Sequence, residues 1–149
     1  YSGGHVSDPK YEAVCNGNTG HAEVIQVEFN SAKIDYSSLL NIFWDTHDPT
    51  TPNQQGADIG TQYRSVIFYH NQSQEIEAIS LKNEIENTNR YEDSIVTEIV
   101  QFETFFPAES YHQEYYTNHT DQPYCKMVID PKIIKFRSKY SKMIQTDDI

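Results

Sequence analysis

Two short clusters of polar side chains stand directly before apolar, strand-like segments of the 149-residue chain. Loops that lead into strands commonly carry functional sites. The first cluster spans residues 11–23 and the second spans residues 56–65. Together they supply acids, phenols and a thiol, which can transfer protons or attack an electrophile: Tyr11, Cys15, Glu23, Asp58 and Tyr63.

Simpler interpretations of these residues remain open from spacing alone. Glu23 could be a solvent-facing strand residue, and Asp58 could close an Asx turn in its glycine-flanked loop. Tyr63 could be an ordinary strand aromatic, and Tyr11 could pack over a loop. None of the four is distinctive when it is taken singly.

Length and composition indicate one globular domain over residues 1–149, with an aromatic-rich core. The net charge of −11 argues against nucleic acid as a partner. No apolar run is long enough for a membrane span, and no spacing of His or Cys favours a metal site. Two cysteines are too few for a secreted disulfide scaffold, and we expect a cytoplasmic protein. Because the chain opens at Tyr1 without methionine, we expect it to begin inside a longer protein.

Hydrophobic periodicity and turn residues predict a mixture of strands and helices. After a loop over Tyr1–Gly20, strands are predicted at Ala22–Phe29, Tyr63–His70 and Val96–Phe102. The predicted helices are Tyr36–Thr46 with Asp35 as N-cap, Asn71–Asn87 with one apolar stripe (Ile76, Ile79, Leu81 and Ile85), a short one after Phe106, and one from Pro131 to Tyr140. Trp44 and Phe43 are interpreted as core residues, and His47 as a hydrogen-bonding residue at the helix end. The order predicts an α+β fold.

From Tyr1 to about Tyr140 the chain resembles the A-type peptide methionine sulfoxide reductases, through Gly-His-Ala-Glu23 and Gly56–Ser65. The family's nucleophile motif, Gly-Cys-Phe-Trp-Gly, does not occur in the 149 residues. The resemblance implies a two-layer sandwich with a mixed sheet and a β-α-β-β-α-β core. Its first strand and helix are expected to be absent from this chain, which would make the domain incomplete at its N-terminus.

The resemblance also implies roles for the clustered residues. A thiolate attacks the sulfoxide sulfur, and a neutral carboxylic acid protonates the leaving oxygen; burial raises a carboxyl pKa enough for this. Glu23 would be that acid, and Tyr11 and Tyr63 the phenols that hold the oxygen. Asp58 would hold a water or an amide nearby. The substrate would be methionine S-sulfoxide, free or in proteins, and no metal or organic cofactor is implied.

Cys125 has two interpretations. By resemblance it is the resolving thiol, which condenses with the sulfenic acid to a disulfide that thioredoxin then reduces. Alternatively it is a buried residue of a strand over Tyr124–Ile129. Cys15 belongs to a loop motif and is interpreted as structural. The alternative function for the chain is a catalytically inactive protein that keeps the sulfoxide pocket without the nucleophile.

Overall fold

A computed structural model describes residues 1–144, in which two compact units are present. The first unit is Tyr1–Ala108, and the second begins at Glu109. The structure contains both helices and strands, as predicted, so the α+β class is confirmed.

The first unit begins with two helices, continues with three short strands, and ends with a long helix followed by a fourth strand. They are α1 (Tyr11–Cys15), α2 (Tyr36–Thr46), β1 (Gln54–Gln55), β2 (Asp58–Ile59), β3 (Val66–Tyr69), α3 (Gln72–Asn87) and β4 (Glu98–Gln101). Within the described residues the strands form two separate pairs, β1 antiparallel to β2 and β3 parallel to β4. The β-α-β-β-α-β core stays a prediction.

The core of the first unit lies where α2 and α3 pack with β3. Parallel strands need a crossover connection, and α3 provides it between β3 and β4. A cluster of buried side chains joins the three elements and the segment before β4: Leu40, Trp44, Ile67, Ala78, Ile85 and Ile95. Burial of these apolar groups is the main stabilising contribution to this part of the fold.

Helix α2 agrees with its prediction at both ends. The Asp35 carboxylate accepts a hydrogen bond from the Ser38 backbone N–H at 2.7 Å, which satisfies one of the unpaired donors of the first turn. Trp44 is fully buried and contacts the ring of Phe43, so both aromatics belong to the core as predicted.

Helix α3 forms as predicted, but only half of its predicted apolar stripe is correct, since Ile85 lies in the core and Leu81 packs against it. Ile76 and Ile79 are exposed, whereas Ala78 and Ile85 are buried. An α-helix turns by about 100° per residue, so Ala78 and Ile85 share one direction and Ile76 points away from it. Ile76 and Ile79 were assigned wrongly because a small residue, Ala78, occupies the side of the helix that packs in the core.

The strand predicted over Ala22–Phe29 is wrong beyond its first residue. Ala22 forms an isolated antiparallel bridge with Ser2, and the segment that follows has no strand pairing among residues 1–144. Ile25 and Val27 are 87% and 52% exposed. An alternating sequence favours a strand, but the strand forms only when a neighbour satisfies its backbone N–H and C=O groups.

The second unit is helical in the residues described. It contains α4 (Tyr115–Asn118), a π-helical turn over Cys125–Ile129 and α5 (Asp130–Lys139), after a short 3₁₀ turn. Pro131 lies in the first turn of α5, where its missing N–H is tolerated. A strand over Tyr124–Ile129 is therefore wrong, because the backbone there continues directly into the helix.

The core assignment can be tested with two isoleucines of the same helix. Ile85 is 6% exposed and Ile76 is 61% exposed. We expect Ile85→Ala to lower the free energy of unfolding by about 2–5 kcal/mol, because it removes buried methyl groups and leaves a cavity. Ile76→Ala should cost much less. Urea unfolding followed by circular dichroism measures both, and equal losses would contradict the packing described for α3.

Candidate active site

Backbone hydrogen bonds hold Glu23 beside the turn that carries Tyr63. Ser2 and Ala22 exchange two backbone hydrogen bonds, of 3.1 and 2.9 Å. The Glu23 N–H then donates to the Gln62 carbonyl oxygen at 2.8 Å. The two polar clusters of the sequence are therefore joined through the main chain, although about forty residues separate them.

His21 fixes the loop that leads to Glu23. The ring is 2% exposed; its Nδ1 accepts a hydrogen bond from the Gly4 N–H at 3.0 Å. The other ring nitrogen, Nε2, therefore carries the hydrogen and donates to the Val6 carbonyl at 2.7 Å. A Cβ at Gly4 would lie 2.4 Å from the Thr19 carbonyl oxygen, so this close approach requires glycine.

Tyr11 and Cys15 stand at the two ends of α1 and are joined by a side-chain hydrogen bond. That bond, followed by the negative charge available on Cys15, partial burial and the nearby Tyr63 and Glu23, raises the pKa of Tyr11 to about 12. A phenol in this state keeps its proton far above neutral pH. Tyr11 can therefore donate a hydrogen bond to an oxygen.

Tyr63 lies in a single 3₁₀ turn, Thr61–Tyr63, and not in the strand predicted for it. Burial and the charges of Glu23, Asp58 and Cys15 raise the pKa of the Tyr63 hydroxyl, whereas a side-chain hydrogen bond with Gln62 lowers it. The second phenol is thus also held in its protonated form.

Asp58 begins β2, directly after the two-residue turn at Gly56 and Ala57. Gly56 has a φ of +58°, which explains a glycine at this position of the hairpin. The Asp58 side chain is exposed, and its charge contributes to the raised pKa of Tyr63. The structure thus brings Asp58 electrostatically close to the phenol.

The environment of Glu23 differs from the one that we expected. We expected burial to keep this acid neutral, but its side chain is exposed in the structure. The residues that follow Glu23 make no strand pairing in the described chain, so no neighbouring strand covers it. Glu23 nevertheless raises the pKa of both Tyr11 and Tyr63, which places the carboxylate within electrostatic range of both phenols.

Two residues of the site carry more contacts than the sequence indicated. Cys15 was interpreted as structural, yet its half-buried thiol contacts Tyr11 and raises the pKa of Tyr63. Gln62 was not identified, although it is buried between the two clusters. Its position between Gly60 and Tyr63, in the densest motif of the chain, was the available signal.

Cys125 lies in the second unit, at the start of the π-helical turn, and its thiol is fully buried. Nearby, the Tyr116 hydroxyl donates to the Asp130 carboxylate at 2.6 Å, which raises the pKa of Tyr116 and ties α4 to α5. Neither cysteine is in a disulfide.

Two negative findings concern the described part of the chain. Residues 1–144 contain no group of His, Cys, Asp and Glu arranged to hold a metal ion. In the same residues, no helix is long and apolar enough to cross a membrane.

The pKa of Tyr11 gives a direct test of the cluster. ¹³C-tyrosine NMR should show a Tyr11 titration near pH 12, and Cys15→Ala should move it toward 10, because the largest cause is removed. A raised pKa means that the folded state holds the proton more tightly, so this stabilisation is complete below pH 10 and is lost as pH rises through about 12. Tyr11→Phe should abolish that pH-dependent loss. An unchanged Tyr11 pKa in Cys15→Ala would contradict the contact.

Comparison with known proteins gives a consistent result. The family model described as peptide methionine sulfoxide reductase matches residues 1–144. A peptide methionine sulfoxide reductase MsrA from Ruthia magnifica is 50% identical over 136 residues, which cover 91% of this chain and 80% of the relative. The MsrA from Saccharolobus solfataricus is 48% identical over 145 residues, which cover 97% of this chain and 81% of that relative.

Solved structures agree with the sequence relatives. The crystal structure of Mxr1 from Saccharomyces cerevisiae in its reduced form superposes with a TM-score of 0.78 at 37% sequence identity. The match covers 84% of this chain and 71% of that chain. Methionine sulfoxide reductase A of Corynebacterium diphtheriae gives a TM-score of 0.69 at 27% identity, over 80% and 61%. The chain spans about four fifths of the curated relatives it matches. The chain therefore belongs to the peptide methionine sulfoxide reductase family, of the A type.

Proposed function

We propose that this chain supplies the proton-donating half of a site that reduces methionine S-sulfoxide, free or in proteins, with thioredoxin as the final reductant. The observation that carries the proposal is the pair of phenols, Tyr11 and Tyr63, which share their surroundings with Glu23 in one compact unit. Both phenols carry their proton at neutral pH and can donate a hydrogen bond to an oxygen.

The reaction needs both a nucleophile and a proton. A cysteine thiolate attacks the sulfoxide sulfur, the S–O bond breaks, and the oxygen is transferred to the cysteine as a sulfenic acid while methionine leaves. The oxygen takes up one proton during this step. In the proposed complex the two phenol hydroxyls would donate hydrogen bonds to the sulfoxide oxygen and stabilise the charge that develops on it, as the donors of an oxyanion hole do in acyl transfer.

Glu23 is the proposed source of the proton. Its side chain is exposed, but a sulfoxide bound against the two phenols would displace water from the carboxyl group. Loss of water disfavours the charged carboxylate and raises its proton affinity. Asp58, whose charge also acts on Tyr63, would orient a water or an amide of the bound substrate.

The thiol that attacks is proposed to be that of the family's Gly-Cys-Phe-Trp-Gly motif, which is not among these residues. Cys125 is proposed as the resolving thiol: it attacks the sulfenic acid, water leaves, and a disulfide forms that a dithiol such as thioredoxin can reduce. Because Cys125 is fully buried at a helical turn, this role requires the Cys125–Ile129 turn to open before the disulfide forms.

The first test uses an extended protein, defined as this chain preceded by a segment that bears Gly-Cys-Phe-Trp-Gly. We expect the extended protein to reduce the S epimer of N-acetylmethionine sulfoxide, and the 149-residue chain alone to show little activity. Glu23→Gln should lower the single-turnover rate by about 10²–10⁴-fold, because it removes the positioned acid. Glu28→Gln, another exposed acid of the same segment, should leave the rate unchanged.

Two outcomes of this experiment would count against the proposal. An extended protein that binds the sulfoxide without reducing it would favour the inactive sulfoxide-binding alternative. A Glu23→Gln variant with an unchanged single-turnover rate would show that Glu23 is an ordinary exposed residue.

The second test separates chemistry from recycling. In the extended protein, Cys125→Ser should release one methionine per site at close to the normal rate, because a resolving thiol is not needed for the first attack. Turnover with thioredoxin should fall sharply, and turnover with dithiothreitol should fall less. A merely structural Cys125 would give lower stability with normal thioredoxin-dependent turnover, which would remove it from the site.

A further inference from the structure

Gln62 joins three segments of the candidate site. Its backbone carbonyl accepts the Glu23 N–H at 2.8 Å, and its side-chain Nε2 donates to the Cys15 carbonyl at 3.2 Å. The next residue along the chain is Tyr63, and the Gln62 side chain lowers the pKa of its phenol. One residue therefore connects the end of α1, the Glu23 segment and the second phenol.

The Gln62 side chain is held firmly in one orientation. The residue is 4% exposed, and the Cys15 carbonyl can only accept, so the amide nitrogen must face it. The amide oxygen, Oε1, has no hydrogen-bond partner among the described residues. A Cβ at Gly60 would lie 2.3 Å from that oxygen, so the glycine provides the space that the amide occupies.

An unpaired buried carbonyl destabilises a fold, and an apolar side chain of similar size would avoid the loss. The contacts of the amide nitrogen explain why glutamine is present. They tie α1, which carries Tyr11 and Cys15, to the turn that carries Tyr63.

We infer that Gln62 is a positioning residue of the reductase site, which sets the arrangement of Tyr11 and Tyr63 relative to Glu23. The inference rests on the proposed function for its catalytic meaning, but the positioning itself concerns these residues alone. Gln62 acts through the phenols and does not need to touch the sulfoxide. A misplacement of about 1 Å in such a donor can lower a rate about 10²-fold.

The environment of Tyr63 distinguishes positioning from a purely structural role. The groups that act on its phenol are Glu23, Asp58, Cys15 and Gln62, and Gln62 alone lowers its pKa. Removing the amide should therefore raise the Tyr63 pKa further, and a carboxylate in its place should raise it most. If Gln62 only filled space, the Tyr63 pKa would not rise in this order.

The experiment compares Gln62→Leu and Gln62→Glu with Gln101→Leu, a control at an exposed glutamine of β4. ¹³C-tyrosine NMR of the 149-residue chain, with Tyr63→Phe for assignment, should give a Tyr63 pKa that rises from wild type to Leu to Glu. The control should match wild type. In the extended protein, Gln62→Leu should lower kcat about 10–100-fold with a smaller change in KM.

The outcomes separate the two proposals. An unchanged Tyr63 pKa in both folded Gln62 variants would overturn the positioning role, whatever the activity. Loss of the folded circular dichroism spectrum in both variants would assign Gln62 a structural role and would also overturn it. A wild-type extended protein that does not reduce the sulfoxide would contradict the proposed function, while the NMR titration would still decide the role of Gln62.

Discussion

The parallel pairing of β3 with β4 is the constraint on which the first unit depends. Strands that run in the same direction cannot be joined by a tight turn, so the chain must cross over through α3. The crossover brings Ala78 and Ile85 onto the sheet, and α2 then completes the core with Trp44. Because the Thr61–Tyr63 turn is followed within three residues by β3, the position of this sheet also determines where Tyr63 can lie.

A buried polar chain strengthens the same region at the beginning of both strands. The His47 ring donates through Nδ1–H to the Phe43 carbonyl at 2.6 Å and pairs through Nε2 with the Ser65 hydroxyl at 2.7 Å. Ser65 in turn pairs with the Thr97 hydroxyl at 2.7 Å. Such a satisfied network specifies one arrangement of its members, here the end of α2 against the residues before β3 and β4.

In the candidate site, hydrogen bonds between distant segments act together with the buried side chains of Val14 and Ala22. The bridge from Ser2 to Ala22 and the bond from Glu23 to Gln62 set the distance between the clusters. Acids and a thiol then surround the phenols of Tyr11 and Tyr63, and each nearby negative charge disfavours loss of the phenol proton. The two phenols therefore remain neutral hydrogen-bond donors over a wider pH range than an ordinary tyrosine.

Local patterns in the sequence determined the elements that are stabilised locally. The capping aspartate and apolar face of Tyr36–Thr46, and the long helix after Asn71, follow from hydrogen bonds and burial along a single segment. The dense motifs around Glu23 and Tyr63 also identified the family. The sequence could not determine whether Ala22–Phe29 would pair, because a strand depends on a distant neighbour. Tertiary structure alone decided that Glu23 is exposed and that Gln62 joins the clusters, since both depend on contacts between residues far apart in the chain.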